Sequence, residues 1–129
     1  MSSANLPGIR ALSGTSASRS PTKTIRKRRA IGLFFASGRR LNDAALLLLV
    51  LPRDPEISGE VFFLTPRKIG GAVVRNCVRR RMREIFRRWI HRPGDRWVYG
   101  WMAKRAAASL DFWQLKEKMV RLAARAREM

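Results

Sequence analysis

The chain has 129 residues, enough for one domain, and 46% of them are apolar, enough to fill a modest core. Its 28 Lys and Arg against 9 Asp and Glu give +19, a charge that repels itself in a compact fold and calls for an acidic partner: nucleic acid or an anionic membrane surface. A single cysteine, Cys77, excludes an intrachain disulfide and a cysteine-built metal site, and the longest apolar run, Ala44 to Leu51, is too short to cross a bilayer.

Residues 1–24 are rich in Ser and Thr, carry Arg10 and Arg19, and contain no acid. They read as a disordered basic tail, a composition shared with organellar transit peptides, and they lack the apolar core of a secretory signal. A reducing compartment, the cytoplasm, is the expected location. Residues 25–129 read as the folded domain. The burst Arg26 to Arg29 leads into Ile31, Leu33, Phe34 and Phe35, a short helix closed by Gly38, which is placed for a left-handed cap. Ala44 to Leu51 reads as a central strand, and Glu60 to Thr65 as a second strand paired to it in a hairpin. Gly70-Gly71 opens a helix running to about Ile90, stopped before Pro93-Gly94. Arg96 to Met102 is a third strand. Asp111 caps a last helix with Gln114 at the capping-box position, and its Phe112, Leu115, Met119 and Leu122 recur at helical spacing. The order predicts an α+β fold, a two-layer sandwich on a single sheet.

The helix over 71–90 carries the functional signal. At 100° per residue, Val74, Val78, Met82, Ile85 and Trp89 fall within an arc of about 80°, a stripe for the core. Arg75, Asn76, Arg79, Arg80, Arg83 and Arg87 fall on a separate arc of about 140°. Solvated helix faces ordinarily mix signs. Here Arg67 to Arg92 holds ten Lys or Arg and a single acid, Glu84. Like charges four residues apart destabilise a helix, so something outside it neutralises them. Arg cannot lose its charge, and its planar fork matches two phosphate oxygens. Neighbours on one helix face stand about 5–6 Å apart, close to the phosphate spacing of an RNA strand. Asn76 adds an amide suited to a 2′-hydroxyl or a base edge, and the helix start exposes N–H groups that favour phosphate.

The run Arg67-Lys68-Ile69-Gly70-Gly71-Ala72-Val73-Val74-Arg75-Asn76-Cys77-Val78-Arg79-Arg80-Arg81-Met82-Arg83-Glu84-Ile85-Phe86-Arg87 resembles the signature of the ribonuclease P protein family. That signature is Lys, Gly-x-Ala-Val, Arg-Asn, a basic pair, and Arg-Glu before Phe. Weaker likenesses lie in Phe34-Phe35 with Gly38, in Leu46 to Val50, and in Arg105 to Leu115. The resemblance covers roughly residues 25–123. It implies a left-handed βαβ crossover, as in the second domain of the fifth small-subunit ribosomal protein, against the usual right-handed preference. It implies a ribonuclease P RNA subunit as partner, faced by Arg75, Asn76, Arg79, Arg80 and Arg83, to which Arg67, Lys68 and Arg87 are added as the expected RNA-binding set. It also implies a cleft for the 5′ leader of precursor tRNA at Ile31, Phe35, Leu47 and Leu49. The holoenzyme would remove that leader with Mg²⁺ held mainly by RNA. Cys77 stands where Arg is usual, so one cationic contact is missing; Ile31 and Leu49 stand where aromatics are common, so leader binding would be weaker or carried more by charge. Ordinary core is the competing reading for these four apolar residues.

Intrinsic catalysis would need carboxylates or histidines grouped around metal or water. The nine acids are scattered, and His91, the only histidine, reads as a surface or phosphate-contacting residue. No catalytic residue, no protein-held metal, no membrane and no obligate protein partner is expected. The alternatives are a ribosomal or other structural RNA-binding protein and, less in keeping with the strands, a membrane-surface protein.

Overall fold

The computed structural model describes residues 23–128. The tail expected over 1–24 lies outside them except for Lys23 and Thr24. Those two already belong to the fold: Thr24 bridges Val61, and the Lys23 carbonyl accepts from Glu60 N–H at 2.8 Å.

α1 (Arg28–Ser37) is followed by four strands and two further helices. The strands are β1 (Arg39–Asn42), β2 (Leu46–Pro52), β3 (Val61–Leu64) and β4 (Trp97–Ala103), in the spatial order β1-β2-β4-β3. α2 (Ala72–Ile85) joins β3 to β4, which run parallel, so these three form a βαβ crossover. α3 (Phe112–Arg127) closes the chain. The α+β class and the single sheet agree with the sequence reading.

The pairing differs from it. β3 makes no hairpin with β2, because β4 lies between them. The reason is length and burial. β2 runs seven residues, and β4 matches all seven in antiparallel register from Leu46–Ala103 to Pro52–Trp97, whereas β3 spans four. Only the longer partner pairs along the whole edge of a strand whose first five residues are buried. β1 was not anticipated, because Arg39-Arg40-Leu41-Asn42 shows one apolar residue; Leu41 is buried in the core while its neighbours are exposed.

Alternation splits the core between the two faces of the sheet. Leu46, Leu48, Val50, Phe63, Tyr99 and Trp101 point to α2 and α3. Leu47, Leu49, Phe62 and Val98 point to Ala30 and Phe34 of α1, with Ile25 and Ile57 beside them. Helices therefore cover both sides of β2, which explains its unbroken apolar run.

Two local expectations fail. Gly38 is extended (φ −72°, ψ 151°), not left-handed, and leads directly into β1. It must still be glycine, since a Cβ there would lie 2.5 Å from the Phe34 carbonyl oxygen. On α2, Val78, Met82 and Ile85 are buried as expected, but Val74 and Trp89 are exposed. The helix ends in a π turn, Phe86–Ile90, with a bond from His91 N–H to the Phe86 carbonyl at 2.7 Å. Within this wider turn Phe86 and Ile90 are buried while Trp89 is exposed.

Candidate nucleic-acid interface

The ridge of α2 is held from beneath by Val78, Met82 and Ile85 and entered through a tight turn, Arg67–Ile69. Gly70 then adopts φ 155°, open only to glycine, and lies against Val74. Gly71, the N-cap, offers no side-chain acceptor, and no acid stands in the first turn, so the leading N–H groups face outward without a carboxylate.

Above that base the predicted residues come together. Asn76, Arg80 and Arg83 are exposed, and Arg75 and Arg79 are half-buried. Arg79 donates to Asn76 Oδ1 at 2.9 Å and to Thr65 Oγ1, which fixes both the guanidinium and the amide. The Nε of Arg75 is buried and has no hydrogen-bond partner among the described residues. None of Arg75, Arg79, Arg80 and Arg83 meets a carboxylate within 4.0 Å among the described residues, as the +19 charge requires of most of the 28 cations. Arg87 is different. It donates to both oxygens of Glu84, at 2.7 and 3.3 Å, and Arg88 approaches the same carboxylate at 3.6 Å. Arg67 and Lys68 are exposed on the entering turn.

Sequence reasoning missed Arg105. Its Nε donates to the Lys68 carbonyl at 3.4 Å, bringing a cation from beyond β4 to the foot of the ridge. No local pattern marks it, because the contact spans 37 residues.

The second predicted group is divided. Leu47 and Leu49 are 4% and 0% exposed beneath α1, so they are core with no side-chain surface left for a ligand. Ile31 and Phe35 are half-buried on α1. Arg40 donates to the Phe35 carbonyl at 3.1 Å, its guanidinium 5.9 Å from the Phe35 ring centre. Leu64 and Met102, paired in register, share this face and are also half-buried. The accessible surface here is thus Ile31, Phe35, Leu64, Met102 and Arg40.

His91 is not a surface residue. Its side chain is 11% exposed, with Nε2 2.9 Å from Glu60 Oε1. Among the described residues no three His, Cys, Asp or Glu side chains come together to hold a metal ion. No helix among them is long and apolar enough to cross a membrane.

Fold and ridge together define a small, strongly cationic α+β protein that presents one rigid guanidinium-bearing helix face beside a helix-covered sheet. The Ribonuclease P family model matches residues 20–127. The ribonuclease P protein component of Symbiobacterium thermophilum is 32% identical over 102 residues, covering 79% of this chain and 89% of that protein. That of Roseiflexus castenholzii is 36% identical over 90 residues, covering 69% and 73%. Among solved structures, the RNase P protein of Thermotoga maritima superposes with a TM-score of 0.67 at 27% identity, over 80% of this chain and 96% of that one. The Staphylococcus aureus RNase P protein has the same fold, with a TM-score of 0.67 at 18% identity over 84% and 96%. The chain belongs to the ribonuclease P protein family.

Proposed function

We propose that this chain is the protein subunit of a ribonuclease P holoenzyme: it binds the catalytic RNA subunit through α2 and the 5′ leader of precursor tRNA beside α1. The observation that carries this reading is the set Arg75, Arg79, Arg80 and Arg83 on α2, none with a carboxylate partner among the described residues, in a member of this family. Arg75, Arg79, Arg80 and Arg83 take phosphate oxygens, Arg67 and Lys68 extend the track at its foot, and Asn76, oriented by Arg79, takes a 2′-hydroxyl or base edge. Arg87 contributes less, because Glu84 already occupies its fork. Ile31, Phe35 and Arg40 hold the single-stranded leader by contact and charge, with Leu47 and Leu49 supporting them from below.

In this reading the Mg²⁺ needed for phosphodiester hydrolysis is held mainly by the RNA. The protein neutralises backbone repulsion and positions substrate, acting in the cytoplasm without catalysing on its own. The test is precursor tRNA cleavage by a ribonuclease P RNA at low Mg²⁺, with and without the chain. Stimulation is expected; its absence would leave only a general RNA-binding protein.

A further inference from the structure

At the far end of α2 from Gly71, three aromatic rings meet on the surface. Trp89 lies 5.9 Å from Phe112 and 5.9 Å from Trp113, and Phe112 lies 5.2 Å from Trp113. Phe112 packs against the core and anchors the group. Trp113 is 61% exposed and Trp89 37%. Scattered surface aromatics are ordinary, but a contiguous trio left open to water by two helices is not. Neither neighbour stacks parallel on Trp113; their planes are tilted from it by 65° and 87°.

The surroundings are cationic. Arg88 lies 4.7 Å from the Trp89 ring centre and Lys116 5.2 Å from it. Of the nearby acids, Glu84 is shared between Arg87 at 2.7 Å and Arg88 at 3.6 Å, Asp111 is held by the N-terminus of α3, and Glu117 lies 3.8 Å from Arg121. A hollow of about 280 Å³ opens beside Trp89 over Val120 and Ala124, rimmed by Arg92. Glu84 also ties the two surfaces together, since one carboxylate holds Arg87 of the ridge and Arg88 of the aromatic cluster.

We infer that Trp89, Phe112 and Trp113 form a stacking platform for an unpaired nucleobase of the RNA that lies along the α2 ridge. Charge complementarity selects this occupant: the cations at the rings repel a basic partner and attract the phosphates on either side of a base. The indole accepts the base face while Arg88, Lys116 and Arg92 meet the adjoining backbone. This rests on the polyanion-binding role of the ridge, and the experiment separates the two.

The full chain, Trp113→Ala, Trp113→Phe, and the double variant Arg75→Ala with Arg79→Ala are titrated with a short single-stranded oligoadenylate and with an RNA duplex of equal length, over a series of salt concentrations. Trp113→Ala should weaken oligoadenylate binding about 5- to 150-fold without altering its salt slope. It should leave duplex binding and the thermal midpoint unchanged, and Trp113→Phe should keep most of the affinity. The arginine double variant should weaken both ligands and flatten both slopes. If Trp113→Ala leaves oligoadenylate affinity intact while the double variant lowers it, the platform is refuted and the ridge survives. Equal losses for oligoadenylate and duplex would also overturn the platform, as would a protein dimer that Trp113→Ala dissociates. If neither variant changes binding, ridge and platform fall together.

Discussion

Glu84 is the single acid on a helix of arginines, and it sets what two of them can do. Replacing it by Gln removes the partner of Arg87 and Arg88. The expected result is tighter RNA binding with a steeper salt dependence, by up to about 0.9 in log–log slope for each cation released to phosphate. An unchanged slope in salt titrations would mean that Arg87 already engages the RNA. A second residue-scale device lies on the opposite side. Arg127 donates to Asp95 at 2.9 Å, to the Ile90 carbonyl at 2.7 Å and to the Tyr99 hydroxyl at 3.0 Å, clamping the end of α3 to the end of the π turn. Burial pushes the Asp95 carboxyl up, but hydrogen bonds from Arg127, Tyr99 and the Trp97 N–H together with the Arg127 charge outweigh it, so the carboxyl is held below its ordinary 3.8. Burial and the Asp95 hydrogen bond push the Tyr99 hydroxyl up, so it stays protonated. A depressed carboxyl stabilises the fold above its unfolded value, and that contribution fades as pH falls from 3.8 through the folded value. Asp95→Ala should therefore cost on the order of 3 kcal/mol near neutral pH, with the gap from the parent narrowing below about pH 4 in urea titrations.

At the scale of elements, the helix ends show which local signals survive packing. Asp111 accepts from Gln114 N–H at 2.8 Å and Gln114 Oε1 accepts from Asp111 N–H at 3.0 Å, the reciprocal pair that the sequence pattern predicted. Asp111→Ala should lower stability by about 1 kcal/mol in denaturant melts, with the salt slope of RNA binding unaltered. The arginine arc of α2 was legible for the same reason: residues three and four apart meet on any helix, whatever surrounds it. The π turn was not legible, because a 100° wheel assumes one period throughout; at its start Phe86 packs edge-on against Phe63 and Tyr99. Trp89, expected in the core stripe, lies at the surface, where it joins residues of α3.

For the molecule as a whole, the two cores meet at the sheet, and Gly100 is where they are most closely fitted. A Cβ there would lie 2.2 Å from the Phe62 ring, which is buried and packed edge-on against Phe34 at 4.9 Å. Gly100→Ala should cost about 1–3 kcal/mol and raise hydrogen exchange in α1 more than in α3, because the displaced ring pushes on the helix above it. Equal exchange in both helices would show that the sheet absorbs the strain. The same layering explains what became of the apolar residues expected in the leader cleft. Ile31 and Phe35 keep some surface, whereas Leu47 and Leu49 lose theirs to Phe34 and Phe62, which arrive from other parts of the chain. By itself the sequence determined the charge, the helices, the capping box and the arginine face, since each depends on residues within a turn or two of one another. Only the tertiary structure decided that β4 rather than β3 lies beside β2, that Arg105 reaches Lys68, and that Trp89 meets Trp113. Those outcomes come from competition among distant segments for the same buried edges and faces, and no short window of sequence contains both competitors.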